Sequence, residues 1–225
     1  MTPQITTIYF DVGNTLLFPN RQVVLAPLHE RKLAPSLELW HAIERRTKNE
    51  FDSRIDDGRP DHGFWSLFHS QLLKELSIRD DRLHEQLVTA MRISANWTES
   101  RTGTREILET ISRRYRIGVI SNADGKIAAV LQRCGIADCF RSITDSGLVG
   151  HEKPHPAIFQ AALREMGARP EESLYVGDVY SVDYVGATQA GMQAMLFDVC
   201  GAYRDRGLPR VESLEELERK LEAAR

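Results

Sequence analysis

Five side chains of this chain could do chemistry together: Asp11, Ser121, Lys153, Asp178 and Asp183. Asp11 ends the apolar, aromatic run Ile8-Tyr9-Phe10 and is followed by the turn formers Gly13-Asn14 and the hydroxyl of Thr15. Ser121 ends the run Ile117-Gly118-Val119-Ile120, Asp178 ends Leu174-Tyr175-Val176-Gly177, and Lys153 lies in a loop after the short run Ser142-Ile143-Thr144. Open parallel sheets bind ligands at the carboxyl ends of their strands, so these groups are expected on one edge. Two carboxylates with a nearby backbone carbonyl suit a hard divalent cation such as Mg2+, which keeps several waters and needs few protein ligands. A lysine and a hydroxyl would hold the remaining oxygens of a phosphoryl group. A carboxylate left facing the phosphorus can attack it and form an acyl phosphate.

The elements that must position these groups are of two kinds. Between about residues 20 and 96 the periodicity is helical, with Leu37, Trp40, Ile43 and then Trp65, Phe68, Leu72, Leu76 at helical spacing. Breaks at Pro35-Ser36 and at Asp56-Asp57-Gly58-Arg59-Pro60 divide this stretch into about four helices. From residue 104 onward helix and strand alternate: helices over about 104–115, 126–134, 156–166 and 182–190, and strands over 116–120, 142–144, 174–177 and 194–197. Leu214, Leu217 and Leu221 share one face of a last helix. Regular βα alternation implies an α/β fold, a Rossmann-like parallel sheet with helices on both faces. The all-α stretch is then an insertion after the first strand, with residues 1–17 and 98–225 as core and 18–97 as the inserted helical domain.

With 225 residues the chain is long enough to bury a core without disulfides, and 42% hydrophobic and 27% charged residues are those of an ordinary globule. A net charge of −3 gives no reason to expect nucleic acid or an anionic membrane as partner. Cys134, Cys139 and Cys200 have no metal-like spacing and are odd in number, which reads as reduced thiols in a cytoplasmic protein. No leader and no run of membrane-spanning length is recognisable. The expected partner is a small phosphorylated molecule, and the expected assembly a monomer or homodimer.

In this order, the stretches resemble the four motifs of the haloacid dehalogenase-like hydrolase superfamily, over essentially the whole chain. Phe10-Asp11-Val12-Gly13-Asn14-Thr15-Leu16 is similar to the first motif, which implies Asp11 as nucleophile and Thr15 as a supporting hydroxyl. Ile120-Ser121-Asn122 resembles the second, with Ser121 on the phosphoryl group, and Lys153-Pro154 the third, with Lys153 steadying nucleophile and phosphate. Val176-Gly177-Asp178 through Asp183 resembles the fourth, implying Asp178 as metal ligand and Asp183 as ligand or support. The resemblance thus implies a Mg2+ site made by Asp11, the Gly13 carbonyl, Asp178 and Asp183. Substrate would be held by Ser121, Asn122, Lys153 and, from the cap, Arg21.

Gly13 departs from the family pattern, in which phosphatases carry an aspartate there as general acid and base. Glycine keeps the carbonyl and removes the proton donor. Members that cleave carbon–halogen or phosphonate bonds also lack that aspartate. Three readings therefore stay open: a phosphatase, a halide- or phosphonate-cleaving enzyme, and a feebly active member that binds a ligand. Asn122 after Ser121 favours the second reading, and Asp178 in its Gly-Asp context the first. A phosphonate-cleaving member would need a cap lysine, for which Lys32, Lys48 and Lys74 are equal candidates.

His151-Glu152-Lys153-Pro154-His155 also fits a zinc-protease pattern that requires one continuous helix. Pro154 and Gly150 break such a helix, so the pattern is expected to carry no zinc. Phe18, Asn20, Arg21, His62, Trp65 and Trp97 are the candidates for lining a substrate pocket under the cap.

Overall fold

The computed structural model describes residues 4–54 and 63–223. Along the chain run β1 (Thr7–Phe10), β2 (Phe18–Pro19), α1 (Arg21–Val24), α2 (Ala26–His29), α3 (Leu37–Ser53), α4 (Phe64–Glu75), α5 (Asp81–Arg92) and β3 (Trp97–Glu99). The alternating half follows with α6 (Thr104–Ser112), β4 (Arg116–Ser121), α7 (Ile127–Arg133), β5 (Ser142–Asp145), α8 (Ser146–Val149), α9 (Pro156–Met166) and β6 (Ser173–Gly177). It closes with α10 (Val185–Gln189), β7 (Gln193–Phe197), β8 (Arg210–Val211) and α11 (Leu214–Ala223).

β1 is buried throughout because both faces of its sheet are covered. Ile8 and Phe10 face one core with Val176, Leu174 and Leu217, whereas Tyr9 faces a second with Tyr175 and Phe159. Six strands form one parallel sheet in the order β5-β4-β1-β6-β7-β8. The chain leaves β1 towards β4 and β5 and returns to its other side at β6. β1 therefore stands beside the point where the strand order reverses, the crevice where such sheets take ligands.

β2 and β3 pair antiparallel, Phe18 opposite Glu99 and Pro19 opposite Trp97, and the helices α1 to α5 lie between them in sequence. The ribbon is too short to be legible as strands in the sequence. Five helices, not four, occupy this insertion among the described residues, because the segment before Leu33 makes two single turns, α1 and α2. The break expected over 56–60 lies outside the described residues. Asn20 caps α1, its Oδ1 accepting from the backbone N–H of Gln22 at 3.1 Å. Ser36 caps α3 by accepting from Leu39 N–H at 3.2 Å, a bond worth about 1 kcal/mol.

The inner stripe of α3 is unusual. Trp40 and Ile43 are buried on it as expected, whereas Leu37, in the first turn, is exposed; Phe51 is buried too, and so are Glu44, Thr47 and Lys48. The polar members of α3 reach the core: Arg45 donates to the carbonyl of Cys200 at 3.0 Å, and Asp52 accepts from the Ser181 hydroxyl at 2.6 Å. The helix expected over 182–190 differs too. It begins as a wider π-helical turn over Tyr180–Tyr184 before continuing as α10.

α4 carries a second buried polar group. His69 is fully buried, neither ring nitrogen has a hydrogen-bond partner, and burial pushes the imidazole down to about 3. The unfolded chain takes up that proton near 6.5, so the fold loses stability as pH falls from about 6.5 towards 3. Between pH 7.5 and 5 the loss from this residue is expected to be about 2 kcal/mol. His69→Phe should remove that part of the pH dependence. Urea melts of both proteins at the two pH values check it, and equal slopes for the two would refute it.

Candidate active site

The turn after β1 places the first group. Asp11 N–H donates to the Val176 carbonyl of β6 at 2.8 Å, which carries the strand one residue beyond the ladder. The chain then folds tightly: Leu16 and Leu17 both donate to the Val12 carbonyl at 2.9 Å, and Asn14 takes a left-handed conformation with φ 52°. Asparagine tolerates that region better than most residues. Its side-chain amide faces Asp178 Oδ2 at 3.4 Å.

Asp11 and Lys153 meet at 2.6 Å, both buried. All three protons of the Lys153 ammonium are used: the others go to Asp183 Oδ1 at 2.8 Å and to the Tyr175 hydroxyl at 2.7 Å. The Tyr175 hydroxyl in turn lies 3.1 Å from both the Ile120 carbonyl and Asp183 Oδ1. Asn122 fixes the lysine from behind, its Oδ1 accepting from Lys153 N–H at 2.7 Å and its Nδ2 donating to the Lys153 carbonyl at 3.0 Å. Burial works against the Lys153 charge, yet Asp11 and Asp183 overcome it and hold the ammonium well above its usual value.

Asp183 spends its second oxygen on the backbone N–H of Val179 at 2.9 Å. Both of its oxygens are thus engaged, and it serves to hold the loop and the lysine. Gly177 makes room for this: a Cβ there would stand 2.5 Å from Asp183 Cγ. Asp178 is buried beside it, and its Oδ2 lies 2.8 Å from the ammonium of Lys48 on α3. Asp11, Asp178 and Asp183 each present a carboxylate oxygen within 4.8 Å of the others. Burial raises the carboxyls of Asp11 and Asp178 above the usual range, with Lys153 and Lys48 respectively opposing it and neighbouring carboxylates adding to it. Four buried carboxylates, counting Glu44, share two ammoniums, and the donors are all hard oxygens. That set fits a divalent cation such as Mg2+.

The cluster forms one end of a pocket of about 400 Å³. Gly13, Ser121 and Asn122 line it from the core, and Trp65, Met91 and Trp97 from the insertion. Trp97 lies against Gly13: a Cβ on that glycine would be 3.2 Å from the indole Cζ3. The indole N–H donates to the Met91 carbonyl at 2.9 Å, and the ring packs against Trp65 at 5.4 Å between centroids.

The structure thus brings Asp11, Gly13, Ser121, Asn122, Lys153, Asp178 and Asp183 together, and leaves Thr15, Arg21, Phe18 and Asn20 outside their pocket. Thr15 is buried with its hydroxyl unpaired and outside the pocket wall, because the tight turn folds it back over Val12. Arg21 donates to the Pro35 carbonyl and packs over Trp40, lining a separate cavity of about 60 Å³ together with Phe18. Asn20 is a helix cap, and His62 lies outside the described residues. His151 and His155 are exposed and stacked at 4.3 Å in the turn before α9, with no shared helix to make a zinc site. Tyr175 and Asn14 belong to the site without any sign in the sequence that they do. An aromatic residue in a buried run and an asparagine in a turn carry no local sign of what they bond to.

Comparison with known proteins identifies the family. The haloacid dehalogenase-like hydrolase family matches residues 5–191. Haloacid dehalogenase-like hydrolase domain-containing protein 3 of Homo sapiens is 33% identical over 205 residues, 86% of this chain and 82% of that protein. Glyceraldehyde 3-phosphate phosphatase of Methanothermobacter thermautotrophicus is 45% identical over 94 residues, a stretch covering 41% of this chain and less than half, 42%, of that enzyme. Among solved structures, the HAD-hydrolase YfnB from Bacillus subtilis bound to magnesium superposes with a TM-score of 0.68 at 18% identity, over 97% of this chain and 99% of that one. At that identity the likeness is one of fold. Parallel sheet, strand-end carboxylate and family match concur, and the chain belongs to the haloacid dehalogenase-like hydrolases.

Proposed function

We propose that the protein is a Mg2+-dependent phosphatase of a small phosphorylated metabolite, working through an aspartyl-phosphate on Asp11. The observation that carries this reading is the Asp11–Lys153 contact of 2.6 Å in the pocket wall, together with Ser121 and two further buried carboxylates. The phosphatase name of the relative at 45% identity supports it. Asp11 and Asp178, with the Gly13 carbonyl, are the groups that would hold the cation. When bound it neutralises charge on the transferring phosphoryl group.

In the first step a carboxylate oxygen of Asp11 attacks phosphorus and the bond to the leaving oxygen breaks. The Lys153 ammonium holds the nucleophile's other oxygen, with its remaining protons on Asp183 and Tyr175, and Ser121 offers a hydroxyl to the phosphoryl oxygens. In the second step water attacks the same phosphorus, the Asp11–phosphorus bond breaks, and inorganic phosphate leaves. The helical insertion acts as a cap, and its indole of Trp97 fills the space beside position 13 where a carboxylate would carry protons. Leaving groups that depart without a proton are therefore the favoured ones.

Phosphonate cleavage through a cap amine loses support. No lysine of the insertion lines the pocket among the described residues, and Lys48 is held as an ammonium by two carboxylates. Halide displacement keeps two supporting observations, Asn122 after Ser121 and the apolar wall that Trp97 makes against Gly13. A panel of phosphorylated metabolites and 2-haloacids, with and without Mg2+, tests the proposal. Phosphate release that depends on Mg2+ is expected, and halide release without added metal would overturn it.

A further inference from the structure

Lys48, a cation of the insertion, reaches the acidic cluster, and it does so completely buried. Its ammonium lies 2.8 Å from Asp178 Oδ2 and 2.9 Å from Glu44 Oε1, one turn back on α3. Both are short ion-pair contacts in a dry interior, and charge dominates what holds the ammonium. It stands outside the pocket wall, which gives it no place against a substrate. The same side of α3 carries Arg45, bonded to the Cys200 carbonyl at 3.0 Å, and Asp52, which accepts from Ser181 N–H at 3.2 Å. Spacings of three and four residues put these groups on one stripe. α3 thus docks on the loop that presents Asp178.

We propose that Lys48 is a resident counter-cation of this cluster: it opposes divalent cation binding at Asp178 and so links loading of that site to the docking of α3. The inference rests on the cluster taking a divalent cation, as set out under the proposed function. Lys153 cannot adjust, because its three protons are committed. A divalent ion on Asp178 places two positive charges within a few ångströms of the Lys48 ammonium, in a site with little water to screen them. Repulsion weakens the ion's hold, and by linkage the bound ion weakens the Lys48–Asp178 contact to the same extent. Lys48 is a positioning residue in this account and touches no reacting atom.

The test is Mg2+ titration of the full chain by calorimetry, with the Mg2+-induced rise in Tm as a second readout; neither depends on turnover. Lys48→Met is expected to tighten Mg2+ binding by about tenfold or more and to enlarge the rise in Tm. Glu44→Gln removes the competing partner of Lys48 and one negative charge, and is expected to weaken Mg2+ binding about threefold or more. Unchanged or weaker binding in Lys48→Met would overturn the inference. Should that variant fail to fold, unchanged or tighter binding in Glu44→Gln would overturn it equally. Absence of any Mg2+ binding by the wild type would overturn the cation reading itself.

Discussion

Asp11→Asn is expected to lower phosphate release by about four orders of magnitude or more while leaving the fold intact. The amide has no charged oxygen with which to attack phosphorus, and no other carboxylate is placed to replace it. Asp183 has both oxygens engaged, and Asp178 faces Lys48. Stability should move the other way. Burial, with Asp183 and Asp178 adding to it, raises the Asp11 carboxyl above its usual range despite Lys153. The charged form is therefore costly in the fold, and without added cation the wild type loses stability as pH rises past the ordinary carboxylate value. Asp11→Asn lacks that loss, so its Tm near pH 7 should equal or exceed that of the wild type in the absence of Mg2+. Phosphate release and calorimetric melts are the two measurements. Turnover in Asp11→Asn within tenfold of the wild type would rule out the covalent route.

The sequence was most legible where burial and period speak for themselves. β1, β4 and β6 end where their apolar runs end, and a parallel sheet then forces Asp11, Ser121 and Asp178 onto one edge. What it could not show was how each polar atom is used. The family resemblance implies Asp183 as ligand or support, and it is the structure that shows its oxygens going to Lys153, Tyr175 and Val179, partners chosen by packing between strands and not by local sequence. Lys32, Lys48 and Lys74 are equivalent as composition, and only the docking of α3 separates them. A sign was available there: Glu44 and Lys48 interrupt the stripe that Trp40, Ile43 and Phe51 define, and a charge on an inward stripe calls for a buried partner. Thr15 went the other way. A hydroxyl four residues after the nucleophile looked useful, but the turn from Val12 to Leu17 buries it unpaired. The contact between Trp97 and Gly13 has no local signal at all, since the two meet only because β3 returns beside β2.

That contact sets the second large effect. A general acid contributes roughly 10²–10⁴ in rate and matters most for poor leaving groups. The wild type, with an indole beside position 13, should therefore favour nitrophenyl over alkyl phosphates. Gly13→Asp alone is expected to gain little. The backbone of Gly13 is outside the left-handed region and accepts a side chain, but its Cβ would press on Trp97 at 3.2 and 3.4 Å. The ring is pinned by its bond to the Met91 carbonyl and by Trp65, so it cannot simply turn aside. Trp97→Leu removes the obstruction and leaves an apolar wall. The double variant Gly13→Asp/Trp97→Leu should then raise alkyl phosphate turnover by about two orders of magnitude, with a much smaller gain on nitrophenyl phosphate, whose leaving group departs unaided. Trp97→Leu by itself supplies no proton and should leave the preference for good leaving groups in place. Initial rates of the four proteins on a matched alkyl and aryl pair decide the matter. Equal gains on both substrates in the double variant, or a wild type indifferent to the leaving group, would mean that the proton reaches the leaving oxygen from a group other than the one position 13 has lost.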